Sequence, residues 1–231
     1  MPMQMGFRWY GEGNDRIPLS YIKQIPGVTT IVWALHHKLP GEIWEPEEIA
    51  EVQKQLEPYG FNMDVVESVN VHDDIKIGLP TRDKYIDNYI QTIRNLAPFG
   101  VKVICYNFMP VFDWTRTDLF HPLPDGSTAL YYEAEKIKEE PREMADYILK
   151  EEEENGMTFP GWEPERMAHL GELFRAYKGV TKEKTVGQSE ILSGKAHACL
   201  PRMRYQNGHS YGRSPLGHFR SPASDDQRRS G

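Results

Sequence analysis

Apolar positions in the first 110 residues follow two alternating rhythms. Short runs with apolar, β-branched or aromatic residues occur at Phe7–Gly11, at Thr29–Leu35 (TTIVWAL), at Asn62–Ser68 (NMDVVES) and at Val101–Tyr106. Their β-branched and aromatic content predicts buried strands. Between them the apolar spacing changes to that of a helix. Pro18 opens a brief helix through Ile25, stopped by Pro26-Gly27. Pro46 stands at the first turn of a second, with Ile49, Val52 and Leu56 on one face. Residues 83–97 form the third, where Tyr85, Ile86, Tyr89, Ile90, Ile93 and Leu96 share a stripe and Gly100 closes the segment. The order β-α-β-α-β-α-β predicts a parallel sheet covered by helices, in an open doubly wound sheet or a (β/α)₈ barrel. No G-x-G-x-x-G or G-x-x-x-x-G-K follows any strand, which argues against nucleotide binding.

Residues 111–165 break the rhythm and read as an insertion after the fourth strand. Their middle, Tyr131–Glu154, is acidic and expected to be helical, and the run Glu151–Glu154 reads as a solvated helix end rather than a metal site. A further helix is expected from Pro164, with Met167, Leu170, Leu173, Phe174 and Tyr177 on one face and Gly179 as its stop. An insertion at the C-terminal end of a strand is where a lid over a site would sit.

Composition adds limits. The 231 residues allow one large domain or two small ones, and 39% hydrophobic with 26% charged residues suits a soluble globular protein. No run approaches a membrane span, and the first ten residues have no apolar leader segment. Cys105 and Cys199 make neither a disulfide framework nor a metal-ligand spacing, so a cytoplasmic location is expected. The net charge of −7 argues against nucleic acid as a partner. Residues 185–231 nevertheless carry +4 against −11 before them, and hold only six Leu, Ile, Val or Phe. A boundary is expected near Lys184, with 1–184 folded and 185–231 a disordered tail.

The stretch KVICYNFMPVFDWTR (102–116) carries the clearest chemistry. A buried strand there delivers an amide, a carboxylate, an indole and a guanidinium at its C-terminal end, as the rim of a polar-ligand pocket does. Arg8 and Trp9 lie on the first strand. Arg8 serves the site or forms a salt bridge. His72 is either a site histidine or a cap beside Asp73 and Asp74. Asn107 serves the site or a turn, Arg116 serves the site or pairs with Asp113, and Trp114 packs a lid or walls a ligand. His36 and His37 read as loop residues, and Cys105 as buried and inert.

Three segments, FRWYGEGND (7–15), ESVNVHDDIKIGLPTRD (67–83) and CYNFMPVFDWTRTDL (105–119), resemble the mannonate dehydratase family, and the likeness extends from residue 5 to about 184. The resemblance implies a (β/α)₈ barrel, of which this chain would hold the first four βα units and the insertion. It implies removal of water from D-mannonate to give 2-keto-3-deoxy-D-gluconate in hexuronate breakdown, with Mn²⁺ or Fe²⁺, in a homo-oligomer. Arg8, Trp9, His72, Asn107, Trp114 and Arg116 are then substrate-binding candidates. The family's metal ligands are one cysteine, two histidines and one aspartate from the second half of the barrel, the first histidine in an IHxDDPP motif. No metal ligand is therefore expected in this chain. The remaining readings are another metal-dependent sugar isomerase or epimerase, and a non-catalytic fragment that binds sugar acids.

After Lys184 the family likeness stops, and a change of reading frame accounts for it. When Gly208–Gly217 is back-translated with free wobble bases and read one nucleotide later, it becomes AIHMDDPPW. The stretch from Val186 to Ala198 becomes WANLKYFLEKLMP, an amphipathic helix. A one-nucleotide insertion near Glu183–Lys184 would produce this, and would leave the chain truncated with respect to the family and inactive. The other reading is a basic tail that belongs to the protein.

Overall fold

Four short parallel strands pair in chain order in the computed structural model, which describes residues 3–111, 116–136 and 169–199, with Asp146 and Lys150. They are β1 (Met5–Arg8), β2 (Val28–Trp33), β3 (Asn62–Glu67) and β4 (Val103–Cys105). The register sets Arg8 opposite Val32, Trp33 opposite Val66, and Glu67 opposite Cys105. Alternation of side chains gives the sheet two unlike faces. Ile31, Trp33, Val66 and Ile104 are buried on the face toward the helices, and the Trp33 indole N–H donates to the Met63 carbonyl at 2.9 Å. Val32, Val65, Val103 and Cys105 face the other way and are half-buried.

The connections are α1 (Leu19–Ile22), α2 (Pro46–Leu56), and the pair α3 (Asp73–Ile77) and α4 (Arg82–Leu96). Proline at the start of α2 sets a helical φ and sacrifices an N–H that would lack a partner. Glu45 and Glu48 complete a reciprocal cap there. The α2 and α4 helices end alike, in Leu56-Glu57-Pro58-Tyr59-Gly60 and Leu96-Ala97-Pro98-Phe99-Gly100. In each the leucine is buried, the proline tightens the last turn, and the glycine turns left-handed at φ 65° or 80° before the next strand. One local solution is thus used twice to turn a helix back into the sheet. Ile86, Tyr89, Ile90, Ile93 and Leu96 of α4 are buried, as the periodicity of 83–97 predicts.

Two features depart from expectation. The insertion begins with a β-hairpin, β5 (Asp118–Pro122) and β6 (Thr128–Tyr131), so Tyr131 ends a strand rather than starting a helix. Asp125-Gly126 makes the turn between them, with Gly126 at φ 83°. The expected helix after Pro164 is present as α5 (Leu170–Tyr177), while the run Glu151–Glu154 lies outside the described residues.

The disorder expected from residue 185 does not begin there. Helix α6 runs from Lys182 to Cys199 and packs on α3 and α4, with Leu192 and Ala196 fully buried. Arg82 donates to Gln188 at 3.1 Å, and Lys195 to Asp83 at 2.9 Å. Leu192 and Ala196 are its buried residues, polar Thr185 and Gln188 share their side and Val186 is exposed, so the sequence carries no apolar stripe that would predict this helix. Residues 200–231 lie outside the described residues. No described helix is long and apolar enough to cross a membrane.

Candidate functional site

Parallel strands present all their C-terminal ends along one edge, and loops there collect polar groups. Arg8, Glu67 and Cys105 are the last residues of β1, β3 and β4. Arg8 Nη1 donates to the carbonyls of Trp9 at 2.9 Å and Val32 at 3.2 Å, and its Nε lies 3.9 Å from Glu67 Oε2. Its guanidinium also sits 4.4 Å from the centre of the Tyr10 ring. Burial lowers the Arg8 pKa, against the attraction of Tyr10, Glu67, Asp15 and Cys105. One nitrogen thus anchors the side chain, and the rest of its donor fork can serve a ligand.

Asn107 Nδ2 donates to Ser68 Oγ at 3.1 Å, and Ser68 Oγ donates to Asn70 Oδ1 at 2.7 Å. This chain ties the ends of β3 and β4 and fixes the Asn107 amide. Cys105 is half-buried, and burial raises its thiol pKa. It is therefore neutral near pH 7. Arg116 is half-buried, and its surroundings lower its pKa through desolvation. Trp114 and Asp113 lie outside the described residues.

Two candidates from the sequence hold structural positions. Trp9 is 4% exposed and belongs to the apolar core. His72 caps α3: its Nδ1 accepts from the Asp74 backbone N–H at 3.1 Å. Its ring stacks on Tyr85 with centroids 3.6 Å apart. Asp73 and Asp74 occupy the first turn, where the helix dipole favours carboxylates. The cap alternative for His72 is therefore what the structure builds.

His36 lies in the turn after β2, as expected of a loop residue, but both its ring nitrogens are enclosed and unpartnered among the described residues. An orphaned buried polar atom costs about 1–3 kcal/mol. Burial, with Arg8 and His37 adding to it, lowers the His36 pKa to about 3. Its ring lies 5.4 Å from that of Tyr10. His37 next to it is tied to Glu48 at 3.0 Å. Tyr10, Asn14, His36, His37 and Glu48 line a cleft of about 800 Å³ between the β1 and β2 loops and α2.

Sequence reasoning passed over Glu67 and Tyr10, and read His36 as a loop residue. The signal for Glu67 was its place as the last residue of an apolar strand. Among the described residues no group of three His, Cys, Asp or Glu could hold a metal ion. The described edge therefore offers a cation, a carboxylate, an amide and a neutral imidazole, which suits the recognition of a hydroxylated anion.

The family model for D-mannonate dehydratase (UxuA) matches residues 3–192. Mannonate dehydratase 1 of Bacillus licheniformis is 62% identical over 182 residues, 78% of this chain and 49% of that protein. Mannonate dehydratase of Bacillus subtilis is 60% identical over 183 residues, 79% of this chain and 50% of that protein. The chain thus spans about half the length of these relatives. The crystal structure of mannonate dehydratase from Streptococcus suis serotype2 superposes with a TM-score of 0.66 at 37% identity, covering 89% of this chain and 53% of that one. A family match over most of the chain, identities of this size and a shared parallel α/β framework together make the chain a member of the mannonate dehydratase family.

Proposed function

We propose that this chain supplies the substrate-gripping part of a mannonate dehydratase that converts D-mannonate to 2-keto-3-deoxy-D-gluconate in hexuronate breakdown. The observation that carries the reading is the Arg8–Glu67–Asn107 edge at the C-terminal ends of the strands, in a chain 62% identical to a mannonate dehydratase. Strand pairing in chain order supports a further proposal, that these four βα units are the first half of a (β/α)₈ barrel. A cytoplasmic homo-oligomer belongs to the same reading.

Dehydration of a sugar acid requires a base for the proton beside the carboxylate and help for the departing hydroxide. In this reading Arg8 binds the carboxylate, Asn107 holds a hydroxyl, and Arg116 adds a second cation. Mn²⁺ or Fe²⁺ belongs to the proposed reaction, but the described residues do not offer its ligand set, and no step is assigned to it. Residues 185–231 are proposed to be read out of frame, which removes the histidine motif of the family. Two experiments test this. Incubation of the 231-residue chain with D-mannonate and Mn²⁺ is expected to give no keto acid, whereas the frame-restored gene product forms it. Resequencing codons 182–186 is expected to reveal one extra base against an independent clone. Dehydration by the chain as written would sink the frame proposal. Failure of the frame-restored product would sink the assigned reaction.

A further inference from the structure

The sequence pair His36-His37 divides its labour. His37 is exposed and bound to Glu48 at 3.0 Å, which also takes Lys38 at 2.8 Å. His36 turns inward, with neither ring nitrogen partnered among the described residues. A third histidine, His72, spends its Nδ1 on a helix cap. His36 alone of these three keeps both nitrogens for something else. Its ring lies against that of Tyr10, and the residue lines the cleft.

A neutral imidazole presents one donor and one acceptor on opposite sides of a ring. That pair complements hydroxyl groups, which both give and accept. Arg8 stacks on Tyr10, and Tyr10 meets His36, so a guanidinium, a phenol and an imidazole follow one another from the strand edge into the cleft. A guanidinium binds a carboxylate. A ligand with a carboxylate at one end and hydroxyls along its length matches this order of groups.

We propose that His36 is a further binding residue, contacting the hydroxyls of a polyhydroxy carboxylate whose acid group meets Arg8. The inference rests on the sugar-acid reading above but does not depend on which sugar acid is bound.

The test uses the full chain with ¹⁵N-labelled histidine. Titration with D-mannonate, D-gluconate and acetate is followed by calorimetry and by imidazole ¹⁵N shifts. The sugar acids are expected to move the His36 nitrogens, and acetate to leave them in place. His36→Phe is expected to weaken sugar-acid binding about tenfold, and His36→Gln less. Melting temperatures of the variants separate lost binding from lost folding, and the wild-type ring shifts remain decisive if a variant does not fold. Sugar-acid binding that leaves the His36 nitrogens unmoved would overturn the inference while leaving the dehydratase reading intact. Ring shifts with D-gluconate but none with D-mannonate would uphold the inference and count against D-mannonate. Binding of no sugar acid overturns the inference.

Discussion

The hydroxyl of Tyr177 donates to Asp73 Oδ1 at 2.7 Å across 104 residues of chain. Lys76 Nζ approaches the same oxygen at 3.7 Å, and all three residues are buried. The contact joins α5, which follows the long insertion, to α3 beside the sheet.

Tyr177→Phe removes the donor and leaves a buried carboxylate with fewer partners. It is expected to cost about 1.5–3 kcal/mol, as for hydrogen bonds to charged groups. Lys76→Ala strips the counter-charge and is expected to cost more, about 3–5 kcal/mol. Urea midpoints of the two variants check the order. An unchanged midpoint for Tyr177→Phe would show that α5 is held by other contacts.

Gly41→Ala is expected to be strongly destabilising. Gly41 has φ 89°, and an added Cβ would lie 2.6 Å from the Tyr85 ring and 2.9 Å from that of His72. Gly27 has a similar φ of 82° with nothing within 4 Å of the added carbon. Gly27→Ala therefore reports backbone strain alone, about 1 kcal/mol. Gly41→Ala adds a clash with the His72–Tyr85 stack. Equal thermal shifts for the two variants would refute the crowding.

Acid should destabilise the protein through His36. Its folded pKa of about 3 lies below the ordinary 6.5. Between these values the unfolded imidazole holds a proton that the folded one refuses. Stability therefore falls as pH drops from about 6.5 toward 3, with a slope of at most about 1.4 kcal/mol per pH unit from this group. Glu48 acts in a lower window. Burial opposes its ionisation, but hydrogen bonds from His37, Lys38 and the Glu45 backbone hold its carboxyl at about 2. Its contribution is complete above about 4.5 and fades as pH falls toward 2. Denaturant melts at pH 7 and pH 5 should show a smaller loss in His36→Gln than in wild type, while Glu48→Gln keeps the wild-type slope above pH 5.

Arg8 and Trp9 are adjacent but should fail differently. Arg8→Met is expected to abolish measurable D-mannonate binding, and Arg8→Lys to weaken it, because a lysine lacks the planar fork. Trp9→Ala is expected to cost about 3–5 kcal/mol of stability through the cavity it leaves. Trp9→Phe should retain binding. Calorimetric titration beside thermal melting distinguishes the two, and a binding loss in a well-folded Trp9→Phe would return that residue to the site.

Much of the framework is written locally. Alternating strand and helix periods, Pro46 at a helix start, and the repeated Leu-x-Pro-aromatic-Gly ending of α2 and α4 depend on neighbours along the chain, so the sequence reveals them. Arg8 and Asn107 stood out as candidates for the same reason, as polar residues at the ends of strands. The roles of the histidines did not. His72 caps a helix because a backbone N–H happens to stand two residues on, whereas His36 is enclosed because Tyr10, from another strand's loop, lies against it. The cap was one of two readings open for His72 in the sequence, and the enclosure of His36 was not among its readings. Helix α6 shows the same limit, since Leu192 and Ala196 become core residues only when α3 and α4 lie beside them. The sequence determined the order of elements and the chemical groups available. The tertiary structure decided which groups are buried, paired or left open to a ligand, because burial and pairing depend on contacts between distant segments.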